Sequence, residues 1–145
     1  MYQKILIATD GSDLAKKAVD QGLALAKALG AKALAITVSE PLAAMASGDV
    51  VFSYPIAEYE KNVAAVAAAV LGSVNEAAKR VGIACETMHV KDRHPAEGIV
   101  ETAKQQNCDL IVMASHGRRG LSRALLGSQA NKVVTLSDIP VLICR

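Results

Sequence analysis

The chain contains no tryptophan, one phenylalanine and three tyrosines. Aromatic platforms for stacking single-stranded bases are therefore missing, and the core must be assembled from Ala, Val, Leu and Ile. The formal net charge is only +2, and the basic residues are spread along the chain except for Arg118, Arg119 and Arg123. No basic surface for nucleic acid or anionic lipid is expected from so small an imbalance. No apolar run approaches the roughly 18 residues of a membrane span. Met1-Tyr2-Gln3-Lys4-Ile5 runs straight into strand-like sequence without a signal-peptide pattern, so the expected location is the cytoplasm. Cys85, Cys108 and Cys144 are odd in number, far apart and set among apolar neighbours. They read as small buried hydrophobes of a reducing compartment, and no metal site is expected. No GxxxxGK[ST] occurs and no GxGxxG follows a strand, so neither a Walker A loop nor a dinucleotide-binding fingerprint is present.

What is present is a regular alternation. Over half of the 145 residues are apolar, enough for one domain, 1–145, with a sizeable core. Lys4 to Thr9 reads as a strand, and Asp10-Gly11-Ser12-Asp13 as a turn with helix N-caps. Ala15, Ala18, Val19, Gly22, Ala26 and Leu29 form one helical face closed by Gly30. Ala33 to Val38 is a second strand, Pro41 to Pro55 a long loop, and Glu58 to Val81 an alanine-rich helix stopped by Gly82. Ala84 to Val90 (strand), Pro95 to about Gln106 (helix), Asp109 to Ala114 (strand), Ser128 to Leu136 (helix) and Pro140 to Cys144 (strand) complete the series. Alternation of this kind predicts an α/β fold, a single-domain open parallel sheet of five strands with helices on both faces.

The most informative segment is Met113-Ala114-Ser115-His116-Gly117, followed after nine intervening residues by Gly127-Ser128. A buried strand, a glycine-bearing loop and a helix start form the context in which α/β proteins hold phosphates. Gly117 would let amides face a ligand without obstruction, and Gly127 and Ser128 present the free amides of a helix N-terminus. On this view Gly127→Val should keep the fold while filling the space a phosphate needs.

Ile5-Leu6-Ile7-Ala8-Thr9-Asp10-Gly11-Ser12, the Asp109-to-Ser128 segment and Ile139-Pro140-Val141-Leu142 resemble the universal stress protein family, and the similarity of layout covers the whole chain. The nucleotide-binding branch of that family carries G-x2-G-x9-G-[ST], which here reads Ala114-x2-Gly117-x9-Gly127-Ser128, with alanine in place of the first glycine. If residue 114 has negative φ, its methyl costs little; positive φ would strain it by roughly 1 to 2 kcal/mol. The resemblance implies strand order 3-2-1-4-5, with a ligand outside the strand ends where the order reverses between strands one and four. It further implies ATP with Mg²⁺ carried on the nucleotide. Asp10, with Thr9 beside it, would lie near the ribose or metal, and Val38, Met113 and Ala114 near adenine, with Ala8 also among the cofactor-binding residues. Ser115, His116, Gly117, Gly127, Ser128 and Gln129 would lie around the phosphates, and Ala130 is included among the cofactor-binding residues. No catalytic residue is assigned, and hydrolysis, lacking a Walker lysine, should be slow at most. The same resemblance implies a homodimer pairing through Val141, Leu142 and Ile143, an apolar edge strand. A dimeric interaction module without nucleotide is the alternative reading. A true adenine-nucleotide α-hydrolase or a flavodoxin-like protein shares the architecture but not these loop residues. His89 and His94 read as structural, and the stress signal and any regulatory partner are not legible.

Overall fold

The computed structural model describes residues 1–45, 55–118 and 125–145. Its elements are β1 (Lys4–Ala8), α1 (Asp13–Leu29), β2 (Lys32–Val38), α2 (Leu42–Met45), α3 (Ile56–Val81), β3 (Cys85–Val90), α4 (Pro95–Gln105), β4 (Leu110–Ala114), α5 (Ser128–Leu136) and β5 (Val141–Cys144). All five strands pair in parallel, in the order β3-β2-β1-β4-β5. The chain order reverses between β1 and β4, where Ile5, Leu6 and Ile7 pair with Leu110, Ile111 and Val112.

Alternate strand residues feed two cores. Ile5, Ile7, Ala33, Ala35, Leu110 and Val112 pack under α1 and the second half of α3. Leu6, Leu34, Ile36, Ile111 and Met113 pack under α4 and α5. Helices thus cover both faces, which is why β1 and β4 are apolar at every position of their central runs. With so few aromatics, close approach replaces bulk. A Cβ on Gly22 of α1 would meet Ile7 Cδ1 at 2.8 Å, so the glycine lets the helix axis settle onto the sheet.

Local chemistry fixes the element ends. Ser12 caps α1, its hydroxyl accepting the Ala15 amide at 3.3 Å, and Gly30 and Gly82 end α1 and α3 in the left-handed conformation. Lys27 Nζ donates to the Val81 carbonyl at 2.6 Å, tying the last turn of α3 to α1. Three expectations are corrected. The segment from Pro41 to Pro55 is not all loop, because Leu42–Met45 forms one helical turn with Ala44 N donating to Pro41 O at 3.0 Å. One turn is too short to leave a period in the sequence; residues 46–54 lie outside the described residues. Helix α3 also starts at Ile56, before Glu58, directly after Pro55, whose restricted φ of −65° suits the position before a helix. Cys108 and Cys144 are buried, but Cys85, which packs against the first core, is only partly so, because it opens the edge strand β3, which has no strand on its outer side. Among the described residues no helix is long and apolar enough to cross a membrane.

Candidate functional site

A cleft of about 560 Å³ opens at the carboxyl ends of the strands. Ala8, Thr9, Asp10, Val38, Met113, Ala114, Ser115, His116, Gly117, Gly127, Ser128, Gln129 and Ala130, the residues singled out from sequence, all lie on its wall. They converge because β1, β2 and β4 are adjacent and parallel, so their ends and following loops share one rim.

The loop after β1 is wound on itself. Gly11 N donates to Thr9 Oγ1 at 3.2 Å and Ser12 N to Asp10 Oδ1 at 3.0 Å. Asp10 therefore holds a turn while Ser12 does the capping. The other carboxylate oxygen, Oδ2, reaches across the reversal point and accepts Arg118 N at 2.8 Å. A Cβ at residue 117 would stand 2.6 Å from that oxygen. Gly117 is thus required by Asp10, whereas the sequence suggested only clearance for a ligand. Gly11, at φ +79°, combines a left-handed backbone with a close approach to α3: its Cβ would meet Val70 Cγ2 at 2.7 Å.

The loop before α5 is equally constrained. Ser115 N donates to Cys144 O at 2.8 Å, its carbonyl accepts Gly127 N at 2.9 Å, and its hydroxyl lies 3.0 Å from His116 Nδ1. With Ser115 only 3% exposed, its side chain is occupied within the loop. The first intrahelical bond of α5 runs from Asn131 N to Gly127 O, so the amides that helix geometry leaves unused are those of Ser128, Gln129 and Ala130. Gln129 has a further duty, since its Oε1 accepts Ala96 N at 3.2 Å and so caps α4. The expectation for Gly127→Val is overturned: a Cβ there would lie 2.5 Å from Ser115 O and 3.3 Å from His116 Cα, colliding with the loop itself. Ala114 lies in β4 and is not among the positive-φ residues, so its methyl introduces no backbone strain. Among the described residues no group of three or more His, Cys, Asp or Glu could hold a metal ion.

Sequence reasoning missed the roof. Tyr59, Asn62, Val63, Val66, Ala67 and Val70 line the cleft from the first half of α3, spaced at helical intervals. That stripe was readable beside the core stripe Val74, Ala77 and Ala78 farther along the same helix; the alanines interleaved with it, Ala64, Ala65, Ala68 and Ala69, blurred the change of role. At the far end stand Ser39, Glu40 and His89. Ser39 Oγ and His89 Nε2 are 2.8 Å apart, and Tyr59 donates its hydroxyl to the Glu40 carbonyl at 2.7 Å. Burial lowers the His89 pKa, nearby Lys91 adding to the effect and Asp92 opposing it. Burial likewise raises that of Tyr59, with Glu40 and Asp92 adding to it. Arg118 is the described cation of the expected cluster on the cleft wall; Arg119 and Arg123 lie outside the described residues.

This arrangement suits an elongated ligand that has an anionic end at the α5 amides and an apolar middle over Val38, Met113 and Val70. Comparison with known proteins agrees with the architecture. A universal stress protein from Bacillus subtilis (strain 168), YxiE, is 34% identical, with both chains covered in full. Another from Methanocaldococcus jannaschii, MJ0531, is 35% identical over 100% of this chain and 83% of its own. A crystal structure of a universal stress protein in complex with cAMP superimposes with a TM-score of 0.71 at 28% identity, covering 99% of this chain and 97% of the other. The model of the universal stress protein family matches residues 1–145, and with the reversed sheet and its cleft this establishes that the chain belongs to that family.

Proposed function

We infer that the protein is a regulatory adenine-nucleotide-binding module whose ligand is ATP. The observation that carries this reading is the cleft itself: free amides of Ser128, Gln129 and Ala130 stand at one end and an apolar slot at the other, within one hollow of about 560 Å³. Phosphates would lie against those amides, with His116 and Arg118 nearby, where the partial positive charge of a helix N-terminus favours anions. The ribose would meet the Asp10 loop, and adenine would sit between Val38, Met113 and the α3 roof. The negative-φ backbone at Ala114 supports this fit. The cAMP complex of a relative adds that an adenine nucleotide is held by a protein of this fold.

The donor set does not make a metal cage. Asp10 is the carboxylate nearest the proposed phosphates, and each of its oxygens already receives an amide hydrogen. Mg²⁺ would therefore arrive on the phosphate oxygens and use at most the remaining lone pairs of Asp10. In-line hydrolysis needs an oriented water and charge stabilisation. Asp10 is held by two amides and His116 by Ser115, so turnover should be slow, and the output is occupancy.

The test is titration of nucleotide-free protein with ATP, ADP, AMP and cAMP, followed by thermal unfolding and calorimetry. At 100 times its dissociation constant the preferred nucleotide should stabilise the fold by about 2.7 kcal/mol. No shift with any of them overturns the reading.

A second role, dimerisation through β5, is favoured by one observation: β5 is a sheet edge, and its Leu142 is 41% exposed. Light scattering that finds only monomer at micromolar concentration would exclude it.

A further inference from the structure

The geometry points to Ser39 as the residue that reads the base edge of a bound nucleotide, with His89 setting the hydrogen-bonding polarity that Ser39 presents. This rests on the nucleotide reading above.

The phosphate-facing amides belong to α5, which follows β4, whereas Ser39 directly follows β2 and His89 belongs to β3. Three strand intervals separate β4 from β3 in the sheet, about 14 Å at ~4.8 Å each. A nucleotide with its phosphates at α5 therefore carries its base across β1 toward β2 and β3. Ser39 is well placed to meet it. Its N–H donates to Val90 O at 2.9 Å, and its carbonyl accepts Arg93 N at 3.3 Å. The sheet thus fixes its position, and both Ser39 and His89 line the cleft.

A hydroxyl paired with a neutral imidazole is ambivalent. If Ser39 donates to His89 Nε2, its lone pairs accept from an amino group on the base. If Nε2 carries the proton and donates, the hydroxyl is free to donate to a carbonyl. Protonated His89 removes the first option: Nε2–H then occupies one lone pair of Ser39 Oγ, and the hydroxyl hydrogen, no longer spent on the imidazole, is available to a keto oxygen in every molecule. The pair would accept amino and keto bases when His89 is neutral, and would favour keto bases when it is charged. The ionisable neighbours are Glu40 beside Ser39, Tyr59 on α3, and Lys91, Asp92 and Arg93 after β3. Burial and Lys91 oppose the imidazolium and Asp92 favours it, so the switch lies on the acid side of an ordinary histidine.

The experiment measures dissociation constants at pH 7.5 and pH 5.0 for ATP and ITP, whose base edges are opposite in polarity, a 6-amino donor with an N1 acceptor in the first and a 6-keto acceptor with an N1–H donor in the second. Protonation of the phosphates affects both ligands alike and cancels in the ratio. In the unaltered protein Kd(ATP)/Kd(ITP) should rise about tenfold on acidification, the worth of one hydrogen bond. Ser39→Ala and His89→Gln should each leave the ratio independent of pH while both nucleotides still bind. Binding of both nucleotides with a flat ratio in the unaltered protein, or an equal rise in Ser39→Ala, overturns this inference alone. Failure of both to bind overturns it together with the nucleotide reading.

Discussion

The carboxylate of Asp10 lies over the Cα of Gly117, so close that a side chain at 117 would begin 2.6 Å from Oδ2. The same oxygen accepts the next amide in the chain, Arg118 N. The two loops flanking the reversal point are therefore joined by one acidic residue, and the glycine there exists to admit it.

Replacing Asp10 by alanine leaves Ser12 N and Arg118 N without their acceptor. The cost should be about 1 to 3 kcal/mol for the part-buried amide, the exposed one recovering water. Urea denaturation should show a lower midpoint with an unchanged m-value. Gly117→Ala should lose a similar amount by displacing the carboxylate, and an unaltered midpoint in both variants would mean the contact has no energetic weight.

Gly127→Ala should be more damaging than its size suggests. Its Cβ would meet the Ser115 carbonyl at 2.5 Å and thereby break the bond from Gly127 N to that oxygen. Because φ at 127 is −59°, the penalty is one of space and not of backbone handedness. Overpacking and bond loss together should cost roughly 1 to 3 kcal/mol. The loss should appear in thermal unfolding of the free protein as well as in the nucleotide titration.

Ala114→Gly restores the glycine common in the nucleotide-binding branch and should do little for binding. The position is already strand backbone with negative φ, so affinity for ATP should change by less than about threefold, well under 1 kcal/mol. Stability should fall by about 0.5 to 1 kcal/mol, because glycine in a strand loses more conformational freedom on folding. Calorimetry and denaturation measure the two effects separately.

His89 should make folding pH-dependent. Its native pKa is held below 6.5, chiefly by burial. As pH falls through 6.5 the unfolded chain takes up a proton before the native one does. Stability from this site is thus complete above the unfolded value and declines as pH drops toward the native value. The melting temperature of the unaltered protein should fall between pH 7 and pH 5 more than that of His89→Gln. Parallel curves would show that His89 does not titrate differently in the two states.

The thiols should be sluggish. Burial raises the pKa of Cys85, Cys108 and Cys144 alike, which keeps the reactive thiolate scarce near neutrality. Brief treatment of native protein with iodoacetamide should label Cys85 first, since the other two are buried. Its rate should still be rising at pH 9. Peptide mass spectrometry identifies the site.

The architecture was readable because its signals are redundant. Ile5-Leu6-Ile7 and Leu110-Ile111-Val112 declare doubly covered strands, and Gly30 and Gly82 mark helix ends that do adopt the left-handed turn. The loop residues around Ala114 to Ser128 were legible by their spacing, and they do share one wall. Their individual duties were not. That Gln129 caps α4, that Ser115 faces His116, and that Gly117 and Gly127 serve neighbouring loops are facts of residues far apart in sequence or of a Cβ that does not exist. The α3 roof and the pairing of Ser39 with His89 also depend on tertiary proximity, Ser39 and His89 being fifty positions apart.

Helix α3 is built like a cantilever. Its final turns are rooted by Val74, Ala77, Ala78 and the grip of Lys27 on Val81, while its opening turns cross the hollow with Ile56 and Val66 still wet, moored by the hydroxyl of Tyr59 on the Glu40 carbonyl rather than by a packed core. Fewer buried apolar contacts hold the tip than the root, so local opening of this helix should cost least at the end over the hollow. Amide exchange should slow progressively from tip to root, and an occupant should slow the tip most.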